Sequence, residues 1–249
     1  MVSVILFSCG KKNEIFQTEP LSDYIPLAVG KSITYRLDST VFTAFGRVTE
    51  IHRYQEKDSI DAQVTDNLGR PSYRVFRYLR DSLGTLPWTP IGSYFITQLS
   101  DKTELIDDNL RVIKLHLPIR DGYSWKGNSY LPPDPYGPLY TFSNDDNMAD
   151  WDFFYDGDIE ATTVIQGKTY TNVRTVSQDD EYYVFPPTDP HPFISKTVSV
   201  EKYSKNIGLV YRQFELWEQQ PNPSGVPPNI TYDPYRTGFG IRMWMISHN

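Results

Sequence analysis

Apolar residues recur at alternate positions along most of the chain: Ile33 and Tyr35, Val48 followed by Ile51, Tyr73 and Val75 against Phe76 and Tyr78, then Ile113, Leu115 and Leu117. Successive side chains of a strand point to opposite faces, so this period predicts strands with one face on a core. Turn signals such as Asn67-Leu68-Gly69 and Asp121-Gly122 separate them, and Gln166-Gly167-Lys168 predicts a tight hairpin between residues 161–165 and 170–176. Residues 209–217 read as a long strand and 240–246 as the last. Helical patterning is scarce. Its best candidate is a short turn or helix over 200–205, ended by Asn206-Ile207-Gly208, because glycine accepts the left-handed conformation that closes a helix. The expectation is a mainly β fold: a curved antiparallel sheet or partly closed barrel, with at most one or two short helices.

Composition narrows the function classes. The 249 residues are 39% apolar, enough for a substantial core, and the formal net charge is -7. No basic stripe is present to neutralise a phosphate backbone, which argues against nucleic acid as a partner. The 18 Tyr, 13 Phe and 5 Trp suit half-buried pleated surfaces first and binding faces second.

Cys9 is the lone cysteine, so neither an intrachain disulfide nor a cysteine-based zinc site can form. It follows the short apolar run Val2 to Phe7, too short to span a bilayer, and precedes the abruptly polar Gly10-Lys11-Lys12-Asn13-Glu14. Leu6-Phe7-Ser8-Cys9 resembles a bacterial lipobox, with an aliphatic residue three before the cysteine and a small one directly before it. It departs from that pattern in the bulk of Phe7 and in lacking a charged segment upstream, which points to a true start before Met1. The expected organisation is a signal-peptide remnant over 1–8, a lipidated tether over 9–23 and a single β-rich domain over 24–249. Acylation of Cys9 with palmitate-class chains would supply the several chains that stable anchoring requires.

Ser8-Cys9-Gly10-Lys11-Lys12 also looks like the lipidated starts of Bacteroidetes lipoproteins. Four further segments carry a wider resemblance: Tyr24 to Tyr35 (YIPLAVGKSITY), Leu117 to Trp125 (LPIRDGYSW), Gly167 to Val173 (GKTYTNV) and Tyr203 to Tyr211 (YSKNIGLVY). Together they resemble β-rich envelope lipoproteins of the Bacteroidetes type. The resemblance implies a Gram-negative envelope and attachment to the outer membrane. Because Gly10 to Glu14 lacks an acidic run, it leans towards the periplasmic face. None of these segments carries chemistry, and Trp125 and Tyr211 read as architecture.

Catalytic and metal signals are lacking. His52, His116, His191 and His248 have no spacing that places two imidazoles on one metal, and no hydrolase elbow, dinucleotide loop or phosphate loop is present. We expect no catalytic residue, no cofactor, no metal and no enzyme activity. The acidic run from Asn144 to Asp158 misses the spacing of a calcium loop and reads as a solvated loop entering a strand. Asp38-Ser39-Thr40, Asp58-Ser59-Ile60 and Asp81-Ser82-Leu83 resemble the O-glycosylation acceptor of Bacteroidetes envelope proteins.

Thirteen of the 19 prolines lie in three aromatic-bearing stretches, 130–142, 185–193 and 221–235. Proline fixes φ, so such loops can be long and stiff and can present rings to a ligand or partner. Tyr136, Tyr140, Tyr232 and Tyr235 are the candidate contact residues. The expected role is non-catalytic binding or structural support on a lipid anchor, with an envelope protein, glycan or lipid as partner. Two alternatives stand beside it: a carrier holding a lipid or other apolar ligand inside the sheet, and a glycan binder using the tyrosine-rich loops. A lidded apolar cavity favours the first, and coplanar exposed aromatics favour the second.

Overall fold

The computed structural model describes residues 18–140 and 147–249. Its strands are β1 (Ser32–Thr43), β2 (Val48–Thr65), β3 (Pro71–Asp81), β4 (Thr89–Gln98), β5 (Lys102–Asp107), β6 (Leu110–His116), β7 (Ser124–Lys126) and β8 (Asp152–Tyr155). After these come β9 (Glu160–Ile165), β10 (Lys168–Phe185), β11 (Phe193–Ser204), β12 (Gly208–Gln220), β13 (Pro223–Val226), β14 (Asn229–Tyr232) and β15 (Tyr235–His248). Helical structure among the described residues is slight: one turn of α-helix at Gly137–Tyr140 and 3-10 turns at Leu21–Asp23 and Met148–Asp150. No helix of the described residues is long and apolar enough to cross a membrane.

The strands run antiparallel in one sheet of order β6-β5-β4-β3-β2-β1-β15-β12-β11-β10-β8-β7, with β9 added to β10; β13 and β14 form a separate hairpin. Its two edges meet, because the Ile113 amide of β6 donates to the Gly127 carbonyl just beyond β7 (2.8 Å) and the Trp125 indole N–H of β7 donates back to Ile113 (2.9 Å). This seam hides edge groups that would otherwise template pairing with another chain. Gly127 is required there: a Cβ would lie 2.3 Å from the Phe153 ring. Trp125 is buried against Phe153 and Tyr155, as its architectural reading expects, and Tyr211 is a half-buried neighbour of a second apolar cluster. The barrel is therefore nearly closed.

The predicted hairpin at Gln166-Gly167 forms, with both residues at positive φ (49° and 77°) as its two-residue turn demands. The helix expected over 200–205 does not. Residues 200–204 belong to β11, where Val198, Glu201 and Tyr203 are buried, and Lys205 opens the turn in which Asn206 (φ 63°) and Gly208 (φ 117°) lead the chain into β12. Left-handed residues serve hairpins as readily as helix ends, and pairing with β10 and β12 on both sides decides the outcome.

The acidic run enters a strand at Asp152–Tyr155, where Phe153 and Tyr155 turn inward; Asn144 to Asp146 lie outside the described residues, as does Cys9. Thr18 to Asp23, expected within the tether, packs on the barrel. Leu21 is buried and Glu19 ion-pairs with Lys205 (2.7 Å). Asp81-Ser82-Leu83 sits at an exposed turn, whereas Asp58 belongs to the barrel interior.

Candidate ligand cavity

On the inner face of the sheet the alternation that makes a core is interrupted by charges. Along β12 the row is Val210, Arg212, Phe214 and Leu216; along β2 it is Glu56, Asp58 and Ile60; along β3, Val75 and Arg77; along β5, Thr103, Leu105 and Asp107. Where inward apolar side chains would have met, a cavity of about 260 Å³ remains. Ile60, Val75, Ile96 and Leu105 form its apolar wall, and Ile25, Pro26 and Leu27 cover it from the segment before β1. That cover is pinned by Gly30 donating to Ile60 (2.8 Å) and Ile60 donating to Lys31 (2.9 Å).

Strand register brings the charges into two clusters. Glu201 of β11 lies opposite Arg212 of β12. Its Oε1 meets Lys114 Nζ (2.5 Å) and Arg212 Nε (3.4 Å), while Oε2 accepts from Tyr203 (2.6 Å) and Gln178 (3.1 Å). Burial alone would push this carboxyl up, but the two cations and the donated hydrogen bonds win and hold it below the usual carboxylate range. Burial lowers Lys114 in turn.

The second cluster surrounds Arg77, which lies opposite Asp58 in the register. Its guanidinium reaches Asp107 (3.0 Å), Glu56 (3.4 Å) and Asp58 (3.7 Å), and it lies over the Tyr94 ring. Tyr94 donates to Asp58 Oδ2 (2.9 Å). One cation thus serves three carboxylates. Burial, then the neighbouring Asp58 charge, pushes Glu56 up to about 8; burial also raises Asp58, to about 6. The Glu56 side chain makes no hydrogen bond, nor does buried Thr103 Oγ1; buried Asp58 Oδ1 and Arg77 Nε also make none, their contacts being the ion pairs of Nε with Asp58 Oδ1 (3.7 Å) and Glu56 Oε1 (3.4 Å). Buried polar groups are ordinarily satisfied by protein or water, so these cavity-lining atoms keep hydrogen-bonding capacity for a polar partner.

The predicted contact tyrosines divide. Tyr136 lines the cavity and packs edge-on against Phe214 (5.7 Å) and Phe239 (5.4 Å). Tyr140 and Tyr235 border a shallow depression with Phe42 and Phe45, and Tyr232 stacks on His191 (4.2 Å) at the surface. Sequence reasoning missed the interior charges. Their signal was parity, since Glu56, Asp58, Arg77 and Arg212 fall on the same alternation as buried apolar residues. It also missed Tyr183 and Phe185, two exposed rings of β10 that lie nearly parallel (8°) with centroids 6.1 Å apart.

Among the described residues no group of three or more His, Cys, Asp or Glu side chains could hold a metal ion. No family model and no curated protein matches the chain. Among solved structures it is similar to an outer membrane lipoprotein-sorting protein domain from Vibrio parahaemolyticus, at 12% identity and a TM-score of 0.21, covering 88% of this chain and 85% of the other. It is also similar to a DUF1329 family protein from Desulfovibrio piger, at 8% identity and a TM-score of 0.19, covering 89% and 86%. Scores of this size carry nothing over to this chain.

Proposed function

We propose that this protein is an envelope lipoprotein, anchored through Cys9, that binds a small amphipathic ligand inside its barrel without transforming it. The covered cavity carries this reading. One wall is aliphatic, the other bears charges with atoms that make no hydrogen bond, and the combination suits a molecule with an apolar body and a polar end. At about 260 Å³ the space is near the low end of small-molecule sites, roughly 300–1,000 Å³, so a single chain fits and a two-chain lipid does not.

Leu105 offers the test, because it is half-buried and faces the cavity. Leu105→Trp should fill the space and abolish the fluorescence gain of N-phenyl-1-naphthylamine seen with wild type. Wild type that fails to brighten this neutral apolar probe would end the carrier reading. The anchor is tested separately: Cys9→Ala should move the protein from the membrane to the soluble fraction and remove metabolic acyl labelling. A second reading, glycan binding, draws on the parallel Tyr183 and Phe185 rings, which could stack on a sugar face. Loss of polysaccharide retention in Tyr183→Ala, with probe binding intact, would favour it.

A further inference from the structure

The cavity reading leaves open which polar end is received, and the charges of the lining decide it. Five carboxylates line the space, Glu56, Asp58, Asp107, Asp108 and Glu201, against four cations, Lys31, Arg77, Lys114 and Arg212. With every carboxylate ionised the lining is one positive charge short, a shortfall that a proton on Glu56 covers until a cation enters. It is also local. Glu201 accepts three hydrogen bonds, from Lys114, Gln178 and Tyr203, and has a second cation, Arg212, at 3.4 Å. Around Arg77, by contrast, three carboxylates share one guanidinium, and Glu56 is only 7% exposed yet accepts no hydrogen bond.

Resting on the cavity reading, we infer that the Glu56–Asp58 wall receives a primary ammonium carried on a single medium-length apolar chain, the chain lying against Ile60, Val75, Ile96 and Leu105. An ammonium brings three donors and no acceptor. The wall presents the complement: the Glu56 carboxylate and Asp58 Oδ1, neither of which accepts a hydrogen bond and both of which share the one Arg77 Nε at 3.4 and 3.7 Å. An anionic head would deepen the charge deficit at this wall. A hydroxyl head carries no charge to exchange for the Glu56 proton.

Burial and Asp58 favour the proton on Glu56 in the empty protein, so ammonium entry displaces that proton to solvent and converts Glu56 to the carboxylate that pairs with the ligand. The titratable groups that share the cavity lining with Glu56 are Lys31 before β1, Tyr35 on β1, Asp58 on β2, Arg77 on β3, Tyr94 on β4, Asp107 on β5 with Asp108 after it, Lys114 on β6, Tyr136, Glu201 and Tyr203 on β11, and Arg212 on β12. Arg77 and Arg212 favour its ionised form, whereas Asp58 and Asp107 oppose it. A bound cation tips that balance.

The experiment is displacement of N-phenyl-1-naphthylamine by octylamine, octanol and octanoate at pH 7. Octylamine should displace the probe at a concentration at least tenfold below octanol, with octanoate weakest. Glu56→Gln should erase that advantage of the amine over the alcohol. If octanol or octanoate matches octylamine in wild type, the ammonium assignment is overturned while the cavity reading stands. If the probe does not bind wild type at all, both fall. Calorimetry in two buffers of different ionisation enthalpy gives an independent readout, since octylamine should release a proton on binding and octanol should not; equal heats in both buffers for octylamine would also overturn the assignment.

Discussion

Two glutamates face the same interior and meet opposite treatment. Glu201 is 1% exposed, accepts hydrogen bonds from Lys114, Tyr203 and Gln178, and is also ion-paired with Arg212. Glu56 is 7% exposed, shares Arg77 with two other carboxylates and accepts no hydrogen bond. Both cost free energy to bury, and only one is compensated within the chain. A satisfied buried charge belongs to architecture, because it joins β6, β11 and β12 across the barrel. An unsatisfied one spends stability where the fold gains nothing from it, which is the pattern of a binding site.

The largest effect that can break this contrast is at Glu201. Glu201→Gln keeps the shape but leaves the buried Lys114, and the half-buried Arg212 beside it, without this counter-charge, and breaking a buried pair in this way costs about 3–5 kcal/mol. Urea unfolding should show a midpoint shift of that size. Adding Lys114→Met, which removes one of the stranded cations, should recover part of it. A loss under about 1 kcal/mol would mean that water reaches Glu201, and the division into architectural and binding charges would collapse.

How much of this was legible beforehand follows from the same residues. The strands were, since Ile113, Leu115, Tyr73 and Val75 announce a period of two and Gln166-Gly167 a turn that few other pairs can make. The near-closure of the sheet depends on Trp125 and Gly127 meeting β6, a contact between positions that no local pattern links. Residues 200–205 misled because Asn206 and Gly208 mark a left-handed turn without saying what precedes it. The tyrosines of the proline-rich stretches drew attention by composition, yet Tyr136 turned inward against Phe214 and Phe239. The interior charges were hidden for a different reason. A charge in an alternating strand reads as the solvated face, and Glu56 and Asp58 alternate with polar Gln55, Lys57 and Ser59, while Arg77 sits between Phe76 and Tyr78, whose rings read as the core side. Only the phase set by Ile60 and Val75 separates the two sets.

The smaller and sharper test is the pH dependence of stability at Glu56. Its folded carboxyl is raised to about 8 by burial and by Asp58, above the ordinary value of 4.5 that the unfolded chain returns to. The folded state therefore holds the proton more tightly. The stabilisation is complete below about 4.5 and is lost as pH rises towards 8. Asp58 adds loss of the same sign over a lower range, up to about 6. Glu201 has the opposite slope, because its depressed carboxyl stabilises the fold above the ordinary value and loses that contribution as acid protonates it. Glu56→Gln should thus match wild type within about 0.5 kcal/mol near pH 4, where the native side chain is neutral in the folded chain and largely so in the unfolded one, and no side-chain hydrogen bond is removed. At about pH 8 the variant should be the more stable of the two, because glutamine has no proton to lose. Urea midpoints measured at intervals across this range should diverge steadily. Parallel curves would show that Glu56 ionises normally inside the barrel, and the two glutamates would then differ in hydrogen bonding alone.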